Sequence, residues 1–185
     1  MDIGRLLTAM VTPFDANGAV DYAQAKRLAR ALLDSGSEGV VLAGTTGESP
    51  TLSSEEKMRL FVEVKEVVGE RGAVVAGTGT YDTAESVELS REAEQLGVDA
   101  VLLTCPYYSR PTQDGLYRHF ETIVTSCECT ETLPTARLRP PEVEGPDVVS
   151  SDCCQLRRTL VITVILGDHE PAPLSNLLEP DIVVG

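Results

Sequence analysis

The chain has 185 residues, a formal net charge of −14 and 42% hydrophobic residues, which is typical of one globular domain with a real core. The acidity excludes the basic surface that nucleic-acid binding needs, and no apolar run approaches the roughly 18 residues of a membrane span. The first residues lack the pattern of a signal peptide, so we expect a cytoplasmic protein.

Short apolar runs alternate with amphipathic stretches through the first two-thirds of the chain. The predicted strands are residues 5–11, 39–43, 73–76 and 100–104. A helix follows each strand, because a capping residue stands at each start: Asp21, Ser53 or Ser54, Asp82 or Thr83, and a position near Thr112. Glycines are expected to close the first three helices: Gly36, Gly72 and Gly97.

One segment of this pattern repeats. Gly36–Leu42 matches Gly97–Leu103 at an offset of 61 residues, which is the length of two βα units. Continuous apolar strands alternating with helices indicate a parallel sheet buried on both faces. The alternatives are an open doubly wound sheet and a (β/α)₈ barrel. No Gly-x-Gly-x-x-Gly follows the first strand, which argues against dinucleotide binding.

The composition changes near residue 125. From Thr125 to Gly185 there is no Lys, Phe, Tyr, Met or Trp, yet this stretch holds seven of the eleven prolines. Only residues 159–166 and 181–184 resemble strands. We therefore divide the chain into a βα-repeat part, residues 1–124, and a divergent tail, residues 125–185. Our hypothesis is that the tail is a frameshifted or degenerate reading of a longer gene, which translation of the other two frames would test.

The cysteines and histidines suggest no cofactor. Five cysteines without a secretion signal do not indicate a disulfide framework. Cys127-x-Cys129 and Cys153-Cys154 lack the usual Cys-x₂-Cys spacing, so a metal site is only a minor alternative. We expect His119 and His169 to lie on the surface or to be structural.

Three predicted loops at the carboxyl ends of strands carry groups suited to a ligand. Gly44–Ser49 offers two hydroxyls and backbone N–H groups that fit a small carboxylate. Gly77–Thr80 follows the next strand, and Cys105–Tyr108 places two phenols at the same rim. A threonine hydroxyl touching a tyrosine phenol could pass a proton. The plainer interpretation, turns and packing, remains open from the residues alone.

The βα-repeat part resembles the N-terminal half of the dihydrodipicolinate synthase / N-acetylneuraminate lyase family. The motifs that carry the resemblance are Thr12–Phe14, Gly44–Ser49, Leu52, Ala76–Gly79, Thr83–Glu85, Pro106–Tyr108, Arg110–Pro111 and Gly115–Phe120. It implies an α/β fold of the (β/α)₈ TIM-barrel type, here truncated or incomplete, with an aberrant C-terminal tail. It also implies a homodimeric or homotetrameric lyase of lysine and diaminopimelate biosynthesis that condenses pyruvate with aspartate-4-semialdehyde through a lysine Schiff base.

The resemblance also implies residue roles. Thr46 and Gly44 would bind the carboxylate of pyruvate. Thr45 and Tyr108 would belong to a proton relay, with Tyr108 reaching across a dimer interface. The family's lysine feedback site would map to Ser49, Tyr81, Glu85 and Tyr107.

Two substitutions bear on that feedback site. Ser54 and Lys57 stand where lysine-sensitive enterobacterial members have histidines. This difference argues against inhibition by lysine.

The Schiff-base lysine itself is missing. The lysines present all lie on predicted outer helices: Lys26, Lys57 and Lys65. Arginine cannot replace lysine because it stays protonated. Alignment with the family's lysine strand on Gly167–Asp168 puts Thr163 at the lysine position, and a hydroxyl cannot form an imine. Leu138 likewise falls where the family has a second relay tyrosine.

Two functional hypotheses follow. The chain is a synthase-type lyase by descent that has lost the catalytic amine, or it is a non-catalytic partner that keeps the Tyr108 interface and associates with a full-length family member.

Overall fold

The computed structural model describes residues 3–127, 159–161 and 183–184. The strands are β1 (Leu6–Ala9), β2 (Gly39–Leu42), β3 (Ala73–Gly77), β4 (Ala100–Leu103), β5 (Thr159–Val161) and β6 (Val183–Val184). The helices are α1 (Tyr22–Asp34), α2 (Ser54–Val68), α3 (Thr83–Gln95) and α4 (Gln113–Ser126). Within these residues no helix is long and apolar enough to cross a membrane.

All the described strands belong to one parallel sheet in the order β5-β4-β3-β2-β1-β6. The predicted parallel α/β architecture is therefore confirmed. The strands β5 and β6 fall inside the two tail segments that resemble strands, and the rest of the tail lies outside the described residues. Among the described strands the sheet does not close on itself, because β5 and β6 occupy opposite edges.

The strands are buried on both faces, as their continuous apolar sequences predict. Val40, Leu42 and Val74 belong to the larger core cluster, which also contains the buried side chains of the helices. Their neighbours Val41 and Val75 belong to a second cluster on the opposite face of the sheet. Every residue of β2, β3 and β4 is buried, so the sheet is a rigid platform for the loops at its edge.

The 61-residue repeat has a structural explanation. Gly36 and Gly97 end the connections from α1 and α3 at φ 110° and 78°, a left-handed region that glycine enters without strain. The acidic residue two positions later then joins its strand to a neighbour. Glu38 accepts a hydrogen bond from the Leu6 N–H at 3.0 Å, and Asp99 accepts one from the Val74 N–H at 2.8 Å.

The helix starts are those that the capping residues predict. The side chains of Asp21, Ser53, Asp82 and Thr112 each accept a backbone N–H of the following helix, and Ser53 forms a full capping box with Glu56. The prediction that Gly72 closes α2 is wrong. The helix ends at Val68, and Gly69 takes the cap position at φ 54°.

Candidate functional site

The loops that follow β2, β3 and β4 lie at one edge, because the strands are parallel and run in the same direction. We call them the β2 loop (residues 43–53), the β3 loop (residues 78–82) and the β4 loop (residues 104–112). Together they contain all the described candidate site residues except Glu85, which lies in the first turn of α3.

The β2 loop has a fixed backbone. The Gly47 and Ser49 N–H groups both donate to the Gly44 carbonyl, at 3.1 and 3.2 Å, and a 3-10 turn follows over Ser49–Thr51. The buried Thr12 hydroxyl donates to the Gly47 carbonyl at 2.7 Å, which ties this loop to the end of β1. A Cβ at Gly47 would lie 3.1 Å from the Met10 carbonyl oxygen, which is tighter than an ordinary contact, so the close approach favours glycine.

Thr45 and Thr46 stand on this fixed loop and are exposed. Within the part of the chain that the structure describes, their hydroxyls and backbone N–H groups make no hydrogen bond. At Gly44 an added Cβ would meet the Leu102 side chain at 3.4 Å and the Val41 side chain at 3.7 Å, which are ordinary contacts with side chains and not with backbone. These four donors in one exposed turn can donate hydrogen bonds to the oxygens of a small anion.

The β3 loop uses its threonines differently. The Thr78 and Ser90 hydroxyls are 2.8 Å apart and buried, and the Thr80 N–H donates to the Ser86 hydroxyl at 2.9 Å. These hydroxyls therefore fasten the end of β3 to α3. They are not available to a ligand, although the sequence made this loop a candidate binding segment.

The β4 loop projects Tyr108 into solvent. Its side chain is fully exposed, and its backbone has φ 73°. A non-glycine residue in this region is strained by about 1 kcal/mol or more, and such strain clusters at functional sites. No hydrogen bond joins Tyr108 to Thr45 among the described residues, so this chain by itself does not assemble the predicted relay.

Three of the residues predicted for the feedback site form one group. The Tyr81 and Tyr107 rings meet edge to face, with centroids 5.3 Å apart and an interplanar angle of 85°. Burial raises the pKa of the Tyr107 phenol, and Tyr81 and the Glu85 carboxylate raise it further. The fourth, Ser49, belongs to the β2 loop and forms backbone bonds of its turn.

Lys57 joins the group unexpectedly. Its side chain is 5% exposed, and burial lowers the pKa of its amine while the Glu85 carboxylate opposes that shift. The signal was present in the sequence, because Lys57 lies on the same stripe of α2 as Leu60, Phe61 and Val64. Lys57 lies on α2, as predicted, but its burial was not predicted.

The remaining candidates separate into two kinds. His119 is buried, with its Nδ1 atom 2.8 Å from the Thr83 hydroxyl oxygen, so the structural interpretation of this residue is confirmed. Thr163, Leu138 and His169 lie outside the described residues. Among the residues that are described, no group of three metal-ligating side chains occurs.

Comparisons with known proteins agree on one family. The model of the dihydrodipicolinate synthetase family matches residues 2–134. A 4-hydroxy-tetrahydrodipicolinate synthase from Desulforudis audaxviator is 59% identical over 184 residues, covering 98% of this chain and 61% of the relative. The chain spans 52% to 62% of the length of three such curated relatives.

Solved structures give the same result. Dihydrodipicolinate synthase DapA-2 from Bacillus anthracis is 49% identical with a TM-score of 0.67, over 69% of this chain and 44% of that one. The enzyme from Acinetobacter baumannii, solved in complex with pyruvate, is 40% identical with the same coverage and a TM-score of 0.67. The fold is thus the parallel α/β fold of these TIM-barrel enzymes, represented in part.

Proposed function

The chain belongs to the dihydrodipicolinate synthetase family, a family of lyases, and we propose that it carries the pyruvate-holding part of a 4-hydroxy-tetrahydrodipicolinate synthase site. The observation that carries the proposal is the exposed Thr45-Thr46 turn, whose four donors are free of hydrogen bonds to other described residues. In this proposal Thr46 and Gly44 hold the carboxylate of pyruvate, in a cytoplasmic step of lysine and diaminopimelate biosynthesis.

The proton relay is part of the same proposal. Thr45 stands next to Thr46, the proposed carboxylate-binding residue, and Tyr108 is fully exposed on the β4 loop, two strands away in the sheet. A phenol that reaches no partner among the described residues of its own chain suits a relay completed by a second subunit. We therefore propose a homodimer or homotetramer in which Tyr108 of one subunit approaches Thr45 of another.

The chain is proposed to bind pyruvate without activating it. An imine requires an unprotonated amine beside the bound carbonyl. Lys26 and Lys65 form ion pairs with Glu63 and Asp99, and Lys57 is buried between helices. Thr163, at the position aligned with the catalytic lysine, cannot form an imine.

Two measurements on the purified chain test this proposal. Pyruvate binding is followed by ligand-detected NMR for the wild type, for Thr46→Val and for the control Thr122→Val, whose exposed hydroxyl bonds only within α4. We expect Thr46→Val to weaken binding about tenfold or more, equivalent to about 1.4 kcal/mol, and the control to leave it unchanged. Equal binding by all three proteins would refute the carboxylate site.

Borohydride reduction in the presence of pyruvate tests the catalytic part separately. We expect no added mass in the wild type, because no amine is placed at the bound carbonyl. A reduced pyruvate adduct, mapped by peptide mass spectrometry to one lysine, would overturn the claim that the chain cannot form the imine.

The second candidate function is a non-catalytic partner of a full-length family member, and the exposed, strained Tyr108 specifically favours it. We expect the wild-type chain to co-purify with a tagged full-length synthase, and we expect the Tyr108→Ser variant not to co-purify with it. The control is Val62→Ser, which changes an apolar residue that is 46% exposed on α2. Equal recovery of both variants would exclude Tyr108 from the interface.

We also propose that the feedback site, Ser49, Tyr81, Glu85 and Tyr107, does not take lysine in this chain. The carboxylate that would receive the ammonium group of lysine, Glu85, already acts on the buried Lys57 amine. Millimolar lysine should therefore leave the melting temperature unchanged. A lysine-dependent increase that Glu85→Gln removes would show that the site is functional.

A further inference from the structure

The β4 loop and α4 each contain one buried polar side-chain atom without a described partner. Within the described residues, Thr104 Oγ1 and His119 Nε2 are the buried side-chain atoms that have no hydrogen-bond partner. Leaving such an atom unsatisfied costs about 1–3 kcal/mol, so a fold retains it only where something compensates. Thr104 is the first residue of the β4 loop, and His119 lies on the buried face of α4.

The imidazole of His119 is held on two sides. Its Nδ1 atom lies 2.8 Å from the hydroxyl oxygen of Thr83, the first residue of α3. Its ring meets that of Phe120 edge to face at 5.2 Å. The backbone of Thr104 also acts on the ring, since it raises the pKa of His119 against the larger lowering effect of burial. His119 thus contacts both the start of α3 and the start of the β4 loop.

The same two segments meet again at the surface. Tyr81 precedes Thr83 by two residues, Tyr107 follows Thr104 by three, and the two rings are in contact. Two connections therefore reach the β4 loop. The contact of Tyr107 with Tyr81 joins it to the β3 loop at the surface, and buried His119 joins it to the start of α3.

We propose that His119 is a positioning residue for the exposed tyrosines of the β3 and β4 loops, Tyr81, Tyr107 and Tyr108. The Thr83 bond fixes the imidazole, and one bridging water between Nε2 and Thr104 Oγ1 connects it to the β4 loop. In this arrangement the imidazole, the Thr104 hydroxyl and the Thr104 carbonyl would supply the two to four partners that a buried water needs. The connection holds Tyr107 against Tyr81 and thereby sets the direction in which the Tyr108 side chain projects. The inference therefore rests on the function proposed for Tyr108.

Protonation should weaken the connection. Asp82, the last residue of the β3 loop, is the charged group that acts on the ring, while Thr104 of the β4 loop and Phe120 of α4, which also act on the ring, do not titrate. Because burial disfavours the charged imidazole, acid should loosen the loop that the neutral ring holds.

Tyrosine NMR tests this inference without any ligand. The chain has five tyrosines and no tryptophan, so ring resonances of labelled tyrosine can be assigned with Tyr81→Phe and Tyr107→Phe. The contact with Tyr81 shifts the Tyr107 ring protons. We expect His119→Phe and Thr104→Val each to remove about half of that shift or more, and His119→Gln to keep most of it.

Matched controls separate positioning from a general loss of stability. Ile123→Val lies on the same helix, is fully buried and should destabilise the fold while leaving the Tyr107 shift in place. Lowering the pH from about 7.5 to about 5 should reproduce the effect of His119→Phe in the wild type but not in His119→Gln. If the Tyr107 shift survives in folded His119→Phe and Thr83→Val, the inference is wrong. That result would leave pyruvate binding at Thr46 untouched.

Discussion

The β2 and β3 loops invite comparison, because each joins a buried parallel strand to a helix, and the segments Gly44–Gly47 and Gly77–Thr80 each contain two glycines and two threonines. In the β3 segment Thr78 and Thr80 are 1% and 4% exposed, and their hydroxyls bond to serines of α3. In the β2 loop Thr45 and Thr46 are exposed, and their hydroxyls bond to no described residue. Threonines in segments of similar composition thus stabilise the fold in the β3 loop and face solvent in the β2 loop.

The difference comes from the helix that follows each loop. On α3 the buried residues include Ser86 and Ser90, one turn apart, and both face the end of β3. On α2 the corresponding stripe begins with Lys57 and continues with Leu60 and Phe61, which offer no hydroxyl to the β2 loop. A threonine at a strand end is therefore structural when the next helix presents a partner, and free for a ligand when it does not.

The largest effect expected from this comparison is that of Gly77→Ala. A Cβ at Gly77 would overlap the Ala43 carbonyl oxygen, a backbone atom that cannot move without distorting β2. We expect a loss of about 3 kcal/mol or more in the free energy of unfolding, or no folded protein. The matched change Gly44→Ala should cost less than about 1 kcal/mol, because its Cβ meets a side chain at 3.4 Å. Urea denaturation of both variants measures the two losses. Similar unfolding midpoints would contradict the expected difference between Gly77 and Gly44.

A smaller effect should follow Thr78→Val. The change leaves the buried Ser90 hydroxyl without its partner at 2.8 Å, which should cost about 1–3 kcal/mol. The double variant Thr78→Val/Ser90→Ala removes both polar groups and should recover part of that loss. A double-mutant cycle in urea measures the coupling. A double variant less stable than the single one by a full additive increment would show that the two hydroxyls act independently.

The parts of the fold that could be predicted depend on local chemistry. Apolar runs such as Val40–Leu42 and Val74–Ala76 identify buried strands, and Asp21, Ser53, Asp82 and Thr112 identify helix starts, because each cap bonds within its own turn. The 61-residue repeat also predicted parallel βα units, because the glycine, the acidic residue and the apolar strand that repeat lie within a few residues of one another.

The parts that were missed depend on contacts between distant segments. Whether Thr78 is buried depends on Ser90 across the loop, and Lys57 is buried because its helical stripe faces the core near Glu85. The end of α2 was misplaced because both Gly69 and Gly72 are compatible with a cap. A Cβ at Gly72 would lie 2.7 Å from the Glu38 carbonyl oxygen, so that glycine serves close packing.

Acid should distinguish the two loops by a still smaller effect. The folded protein favours neutral His119, whose pKa is lowered by burial, and this residue is bonded to Thr83, which directly follows the β3 loop. The unfolded chain takes up the proton below about pH 6.5 while the folded chain resists it, so stability is present above that pH and falls below it. As the pH falls, the protection factors of the amides, which correct for the slower intrinsic exchange in acid, should drop in the β3 loop before they drop in the β2 loop. His119→Gln should remove the difference, and an equal loss of protection in both loops would contradict it.

The smallest expected change in stability is that of Thr46→Val. Its hydroxyl has no described partner and its side chain is exposed, so the free energy of unfolding should stay within about 0.5 kcal/mol of the wild type. The same substitution at Thr78 is expected to cost several times more, although the two residues occupy similar positions after neighbouring strands. If Thr46→Val keeps its stability and loses pyruvate, the hydroxyl belongs to a binding site. If it is as costly to stability as Thr78→Val, the hydroxyl is structural after all, and the carboxylate site must be sought in the backbone N–H groups of the turn.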